Sequence, residues 1–380
     1  MKILIIQQKM IGDVLLSTML CEQIKKNISN TEVHYLINNY TEAIVTNNPN
    51  IDRIILFNED YRNSKWLLFE FLNNMTHENY DVVIDAYGKL ESILISLFSK
   101  AKVKISMDKW YSRAVYTNTF KYKKNGNSCL GLAVENRLKL LNPFISDIIA
   151  ITNYPKVYLT DDEISRAKLF LENNNIDFSK PILMINILGS SPSKTYPLQC
   201  MAEIIDQISC QGEFTMLFNY TPSQSKQARE LYNLCSPRSK GKIRFDVYAP
   251  SLRAFLSVLY HCKAILGNEG GAINMAKALN IPTFSIFSPW VDQATWETFK
   301  DIKHNVAVHL NDYEPLLLNG KSRKKLKKDY KSLYDHFKPF LFKDNINHFL
   351  ESYIFINKDK LPCKPLQATV KSRSFEKFLV

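Results

Sequence analysis

The chain has 380 residues, 46% apolar and 23% charged, a composition that excludes a disordered or fibrous protein and a length that favours two domains over one core. Lys and Arg exceed Asp and Glu by 49 to 37, and the resulting +12 charge points to an anionic partner. Seven cysteines without a CxxC pair, no apolar run near the ~18 residues of a membrane span, and an N-terminus unlike a signal peptide together predict a reduced, cytoplasmic protein.

Strand-like and helix-like segments alternate from the start. Residues 2–7 read as a strand, 14–27 as an amphipathic helix, and "EVHYLI" at 32–37 as the next strand. "RIILF" (53–57), "DVVIDA" (81–86) and "VKIS" (103–106) continue the series, with helices expected at 64–76 and 89–99. The strands are continuously apolar, as in a parallel sheet buried on both faces. Pro143 and Pro155 bracket a linker, after which Thr160 and Glu163 form a capping signature at a helix start.

A second series begins at "PILMINIL" (181–188) and continues with strands at 214–219, 243–248, 263–268 and 282–287. Helices are expected at 197–210, 222–235, 251–261 and from 271, followed by a long helical segment over 332–356 and a loose tail. The predicted fold class is therefore α/β, with two Rossmann-like, doubly wound parallel-sheet domains facing a central cleft. Their expected extents are 1–155 and 156–331, with a terminal segment 332–380. In such sheets ligands bind at the carboxyl ends of the strands.

Three segments fall there. Gly12-Asp13 follows the first strand; the simplest reading is a helix start with Asp13 as its N-cap. "GSSPSKTYP" (189–197) follows the first strand of the second half, where Ser190, Ser191 and Lys194 suit a phosphate, or form an ordinary polar loop. "GNEGGAINMAKALNIP" (267–282) places Gly270 and Gly271 at a helix start, either an anion site or a tight turn. There is no Asp-x-Asp, no histidine pair at metal-ligand spacing and no GxGxxG, so neither a metal nor a nicotinamide or flavin cofactor is expected.

Together these segments resemble a family. "IGDVLLST" after an N-terminal strand, "YDVVIDAYGKLESILIS" (80–96), "SKTYP", and "LGNEGGAINMAKALNIPTFSIFSPW" (266–290) are similar, in order over roughly 1–300, to the ADP-heptose:lipopolysaccharide heptosyltransferases of glycosyltransferase family 9. The resemblance implies a GT-B fold, with a terminal helix returning toward the first domain. It also implies inverting, metal-independent transfer of heptose from ADP-heptose to a lipopolysaccharide core acceptor.

Carried over residue by residue, Asp13 matches the family's general base and Lys194 its donor-phosphate lysine. Gly12, Ser190 and Ser191 join the donor site, and Gln224 falls near a glutamate that contacts the nucleoside. The third motif departs from the family: the usual Asp-Thr-Gly is Glu269-Gly270-Gly271, and the usual histidine is Asn274. Another nucleotide sugar, or a non-catalytic nucleotide-binding or membrane-surface protein of the same fold, therefore stays open.

The +12 charge suits an anionic glycolipid acceptor. The basic stretch 321–331, "KSRKKLKKDYK", is a candidate for holding the protein peripherally on the inner face of the inner membrane, or a solvated loop. No nucleic-acid motif accompanies it, and the aromatics nearby (Tyr330, Tyr334, Phe337, Phe340, Phe342) are expected to pack a helix.

Overall fold

In the computed structural model, residues 1–126, 128–145, 154–299 and 304–355 are described. Strands of three to seven residues, most of them apolar runs, form two parallel sheets. The first holds β1 (Lys2–Ile6), β2 (Glu32–Asn38), β3 (Arg53–Phe57), β4 (Val82–Asp85), β5 (Val103–Met107) and β6 (Asn118–Phe120), in the order β3-β2-β1-β4-β5-β6. The second holds β7 (Ile182–Asn186), β8 (Thr215–Asn219), β9 (Ala264–Asn268), β10 (Thr283–Ile286) and β11 (Asn305–Val308), in the order β11-β10-β9-β7-β8.

β1 is central and wholly covered: Ile5 pairs with Tyr35 of β2 on one side and Ile84 of β4 on the other. Its residues Ile3 to Ile6 are fully buried, each contributing about 1.5–3 kcal/mol of transfer free energy. Strand order reverses between β1 and β4 and between β7 and β9, and at such switch points the connecting loops part to leave a crevice. One hydrophobic cluster runs through both halves, joining Ile3, Val14 and Tyr35 to Ile182, Leu256 and Ile273. The two sheets are thus held with their carboxyl edges toward a shared cleft.

Arg253 bolts the halves together. Its guanidinium binds both Glu163 carboxylate oxygens, at 2.5 and 2.8 Å, and donates to the carbonyls of Tyr158 and of Ala43 in the first half. The expected capping box is present, with Thr160 Oγ1 accepting from Glu163 N and the Glu163 carboxylate from Thr160 N.

Three expectations need correction. Residues 243–248 do not form a strand. Ile243, Phe245 and Val247 alternate into the core, but beyond one bridge to Met216 the backbone turns, Val247 N donating to Arg244 O. The long helix expected over 332–356 is broken into Tyr330–His336, a 3-10 turn Pro339–Phe342, and Lys343–Tyr353. Pro339 supplies no N–H and forces Lys338 into an extended conformation, ψ 153°.

The terminal helix, expected to return toward the first half, packs on the second. Phe337, Phe342, Ile346, Phe349 and Leu350 share a core with Leu183, Ile185 and Phe284 of β7 and β10. Phe340 is the exception among the aromatics expected to pack, and is exposed. Most of the expected linker and all of the expected tail lie outside the described residues.

Candidate active site

The helix Ile11–Asn27 leaves the carboxyl end of β1 toward the cleft. Its N-cap is Met10, so Asp13 is not the cap but the third helical residue. One carboxylate oxygen of Asp13 accepts weakly from Met10 N at 3.4 Å; the other forms an ion pair with Arg137, which lies 124 residues later on the helix Leu132–Leu138. Arg137 is itself fixed, donating to Ser17 Oγ at 3.0 Å and to Ala133 O at 2.8 Å. The Asp13 side chain is one-fifth exposed, wet enough to meet a ligand and held in one orientation.

Opposite stands a second helix start. Gly270, at φ +146°, lies in a region that disfavours L side chains and opens the helix Gly271–Ala278. The two helices approach through glycines. A Cβ on Gly12 would lie 2.7 Å from Asn274 Nδ2, and one on Gly271 3.5 Å from Ile11. Two helix N-termini, one from each half, therefore point into one cleft and make its centre electropositive.

The lysine sits on the 3-10 turn Pro192–Lys194 after β7, and its ammonium donates to Glu269 Oε1 at 2.9 Å. Glu269 stands on the loop after β9, its backbone N–H bonded to Ile286 O. Below them an asparagine network ties the strand ends. Asn186 Nδ2 donates to Asn268 O at 2.6 Å, Asn268 Nδ2 to Asn186 O at 3.0 Å, and Asn219 Nδ2 to Asn186 Oδ1 at 2.8 Å. A side chain at Gly267 would strike the Asn186 carbonyl, so the chain passes there only as glycine.

These elements enclose a cleft of about 540 Å³, within the range of small-molecule sites. Gly12, Asp13, Ser190, Lys194, Gln224, Glu269, Gly270, Gly271 and Asn274 all line it. Ser191 is not among the lining residues; its hydroxyl meets Ser193 Oγ at 3.2 Å and its carbonyl accepts from Lys194 N. Gln224 is engaged within the protein, donating to Gly189 O at 3.2 Å and accepting from Thr221 N at 3.0 Å. Asn274 accepts from Tyr154 OH at 2.7 Å and donates to Gly270 O at 3.2 Å, leaving one amide hydrogen for a ligand. Burial raises the Tyr154 hydroxyl's pKa, so it stays a proton donor.

Four features of the site went unread in the sequence. Arg137 carries no local signal, because only the fold brings it to Asp13. The strand-end asparagines look like ordinary turn residues. Tyr220 lines the cleft and stacks on Phe245 and Tyr248 (centroids 5.5 and 5.6 Å apart, planes 25° and 17° apart), an aromatic cluster at the cleft's border. The basic stretch bears on the cleft as well: in the exposed helix Arg323–Lys328, Arg323 and Lys327 lie over the Trp290 ring at 5.2 and 5.0 Å, and Lys194 shares that ring at 5.6 Å.

Comparison with known proteins places this geometry in a wider set. Residues 68–326 match the family model of glycosyltransferase family 9 (heptosyltransferase). The chain is 26% identical over 307 residues to lipopolysaccharide heptosyltransferase 1 of Campylobacter coli, covering 76% of this chain and 84% of the relative. It is 24% identical over 305 residues to lipooligosaccharide heptosyltransferase 2 of Haemophilus influenzae, covering 78% and 85%. A solved glycosyl transferase family 9 structure from Veillonella parvula superposes with a TM-score of 0.72 at 15% identity, covering 88% of this chain and 97% of the other. E. coli heptosyltransferase WaaC with ADP gives 0.63 at 18%, covering 88% and 100%. The shared fold is GT-B.

Proposed function

Because the chain belongs to glycosyltransferase family 9, the heptosyltransferase family, we propose that it moves a heptose from ADP-heptose to an anionic lipopolysaccharide core acceptor, with inversion and without a metal. Asp13 takes the proton of the acceptor hydroxyl, whose oxygen attacks the anomeric carbon as the bond to the diphosphate breaks. The negative charge leaving on ADP is met by Lys194 and by the N–H groups of the helix start at Gly270-Gly271. Arg137 holds the Asp13 carboxylate toward the cleft, and Tyr220 borders the space left for the base.

The observation that carries this reading is convergence. A carboxylate from the first half, and a lysine and a helix N-terminus from the second, line one cleft of nucleotide-sugar size. Relatives named lipopolysaccharide heptosyltransferases supply the sugar and acceptor class. Glu269 and Asn274, which depart from the family's usual residues, favour a second reading in which another nucleotide sugar is the donor.

A thermal-shift panel of ADP, UDP, GDP and ADP-heptose separates the two, since a ligand of the folded state raises the melting temperature with occupancy. Selective stabilisation by ADP and ADP-heptose is expected. A preference for UDP or GDP would reassign the donor, and no shift with any of them would contradict both readings.

A further inference from the structure

The carboxyl edge of the first sheet carries a second surface, outside the cleft. Trp110, just after β5, is 84% exposed, with Tyr111 exposed beside it. Leu90, which opens the helix after β4, is 70% exposed, and Tyr122, just beyond β6, is also exposed. Their loops are fastened to one another. Asp108 N donates to Phe120 O at 2.8 Å, joining the loops of Trp110 and Tyr122. The Lys109 ammonium binds the carbonyls of Tyr87 and Gly88, joining the Trp110 loop to that of Leu90. Large apolar side chains this exposed, on loops fastened together, are a feature a soluble monomer seldom leaves bare.

Its charge narrows the choice of partner. Residues 108–124 hold five basic side chains against one acidic, and that acid, Asp108, is already bound to Arg113 at 2.6 Å. Lys89, Lys121 and Lys124 stand exposed around the aromatics. Tryptophan and tyrosine rimmed by lysine is the composition that settles at the headgroup level of an anionic bilayer.

Position narrows it further. Lys123 N donates to Asn136 Oδ1 at 2.7 Å, tying the Tyr122 loop to the helix whose Arg137 pairs with Asp13, so the surface adjoins the end of the cleft where an acceptor must arrive. The stretch 321–331 adjoins the Lys194 end instead, through Arg323 and Lys327 on Trp290.

We propose that this face docks on an anionic bilayer, with Trp110, Tyr111 and Tyr122 in the headgroup layer and the Asp13 end of the cleft turned to the membrane. A lipid-anchored acceptor can then present its sugar to Asp13 without leaving the bilayer. The inference rests on the proposed function only in taking the acceptor to be lipid-anchored.

The test is flotation of the full chain with phosphatidylglycerol–phosphatidylethanolamine vesicles, with phosphatidylcholine vesicles as the neutral comparison. Wild type should float with the anionic vesicles only. W110S/Y111S should lose at least about tenfold in binding, and K121Q/K124Q about fivefold per lysine, whereas K324Q/K325Q should bind as wild type. ADP binding and transfer to a delipidated acceptor should be unchanged in W110S/Y111S, which reads the site separately from the docking face. Docking is overturned if wild type does not float, if W110S/Y111S floats as well as wild type, if K324Q/K325Q alone abolishes flotation, or if the surface retains single-stranded oligonucleotide but no vesicle. A wild type that floats but neither binds ADP nor transfers sugar would remove the proposed function and leave docking standing.

Discussion

Lys194 and Glu269, 75 residues apart in the chain, meet at 2.9 Å over the carboxyl ends of β7 and β9. The cation proposed to receive a leaving diphosphate is therefore already occupied by a carboxylate, and the ligand has to compete for it. Glu269→Gln should release the ammonium and tighten ADP binding about threefold to tenfold at low salt, in keeping with a partly exposed ion pair. Lys194→Ala should weaken ADP binding by more than tenfold, the scale of a lost charge-assisted hydrogen bond. Titration calorimetry with ADP reads both; tighter binding in Lys194→Ala would contradict the assignment.

Arg137 acts on the acceptor side of the chemistry. In Arg137→Ala the Asp13 carboxylate loses its partner and its fixed direction, and kcat should fall about 10–100-fold through misorientation. ADP affinity should stay within about twofold, because Arg137 does not reach Lys194's side of the cleft. Steady-state kinetics with a separate ADP titration checks this split; equal losses in both would show that Arg137 merely holds the fold.

The glycine at the helix contact is a packing requirement. Gly12→Ala puts a methyl 2.7 Å from Asn274 Nδ2, so the two helix starts must part or Asn274 must give up Tyr154. A loss of about 1–3 kcal/mol is expected for such overpacking, with weaker ADP binding. Gly241→Ala is the control: its Cβ would meet nothing within 4 Å in the helix Pro237–Lys242, so stability should hold or rise. Chemical denaturation of both variants decides the point.

Acid should loosen the Glu163–Arg253 pair, which fixes the arginine that reaches Ala43 of the first half. The two hydrogen bonds from Arg253 hold Glu163 down to a pKa of about 2, against about 4.5 for a free glutamate. A carboxylate whose folded pKa is depressed contributes stability above its unfolded pKa, and that contribution is lost as pH falls from about 4.5 to about 2. Glu163→Gln should cost on the order of 2 kcal/mol near neutrality and flatten the pH dependence in that window. Melting curves from pH 7 to pH 2 measure it.

Much of this architecture was legible because it depends on local pattern. Continuous apolar runs such as Ile3 to Ile6 and Ile182 to Ile185 could hardly be anything but doubly buried strands, and Gly12, Lys194 and Gly270 sit just past strand ends, where turn chemistry shows. The strand misread at 243–248 failed for a physical reason: alternation reports which side chains are buried, and Ile243, Phe245 and Val247 are buried although only Ile243 pairs, through a single bridge to Met216 of β8, before the backbone turns away. Arg137 was invisible because its role arises from a contact over 124 residues. The lysine-rich stretch 321–331 looked uniform in sequence, yet the helix turns Arg323 and Lys327 onto Trp290 and leaves Lys324 and Lys325 to solvent.

The central claim is that Asp13 is the base of a sugar transfer. The most direct measurement is the rate of ADP release from ADP-heptose in the presence of a heptose-acceptor glycolipid, in wild type and in Asp13→Asn. The proposed mechanism predicts acceptor-dependent release by wild type, a rate lower by about 10²–10⁴-fold in Asp13→Asn, and ADP affinity unchanged between the two. Transfer by Asp13→Asn at the wild-type rate would contradict it.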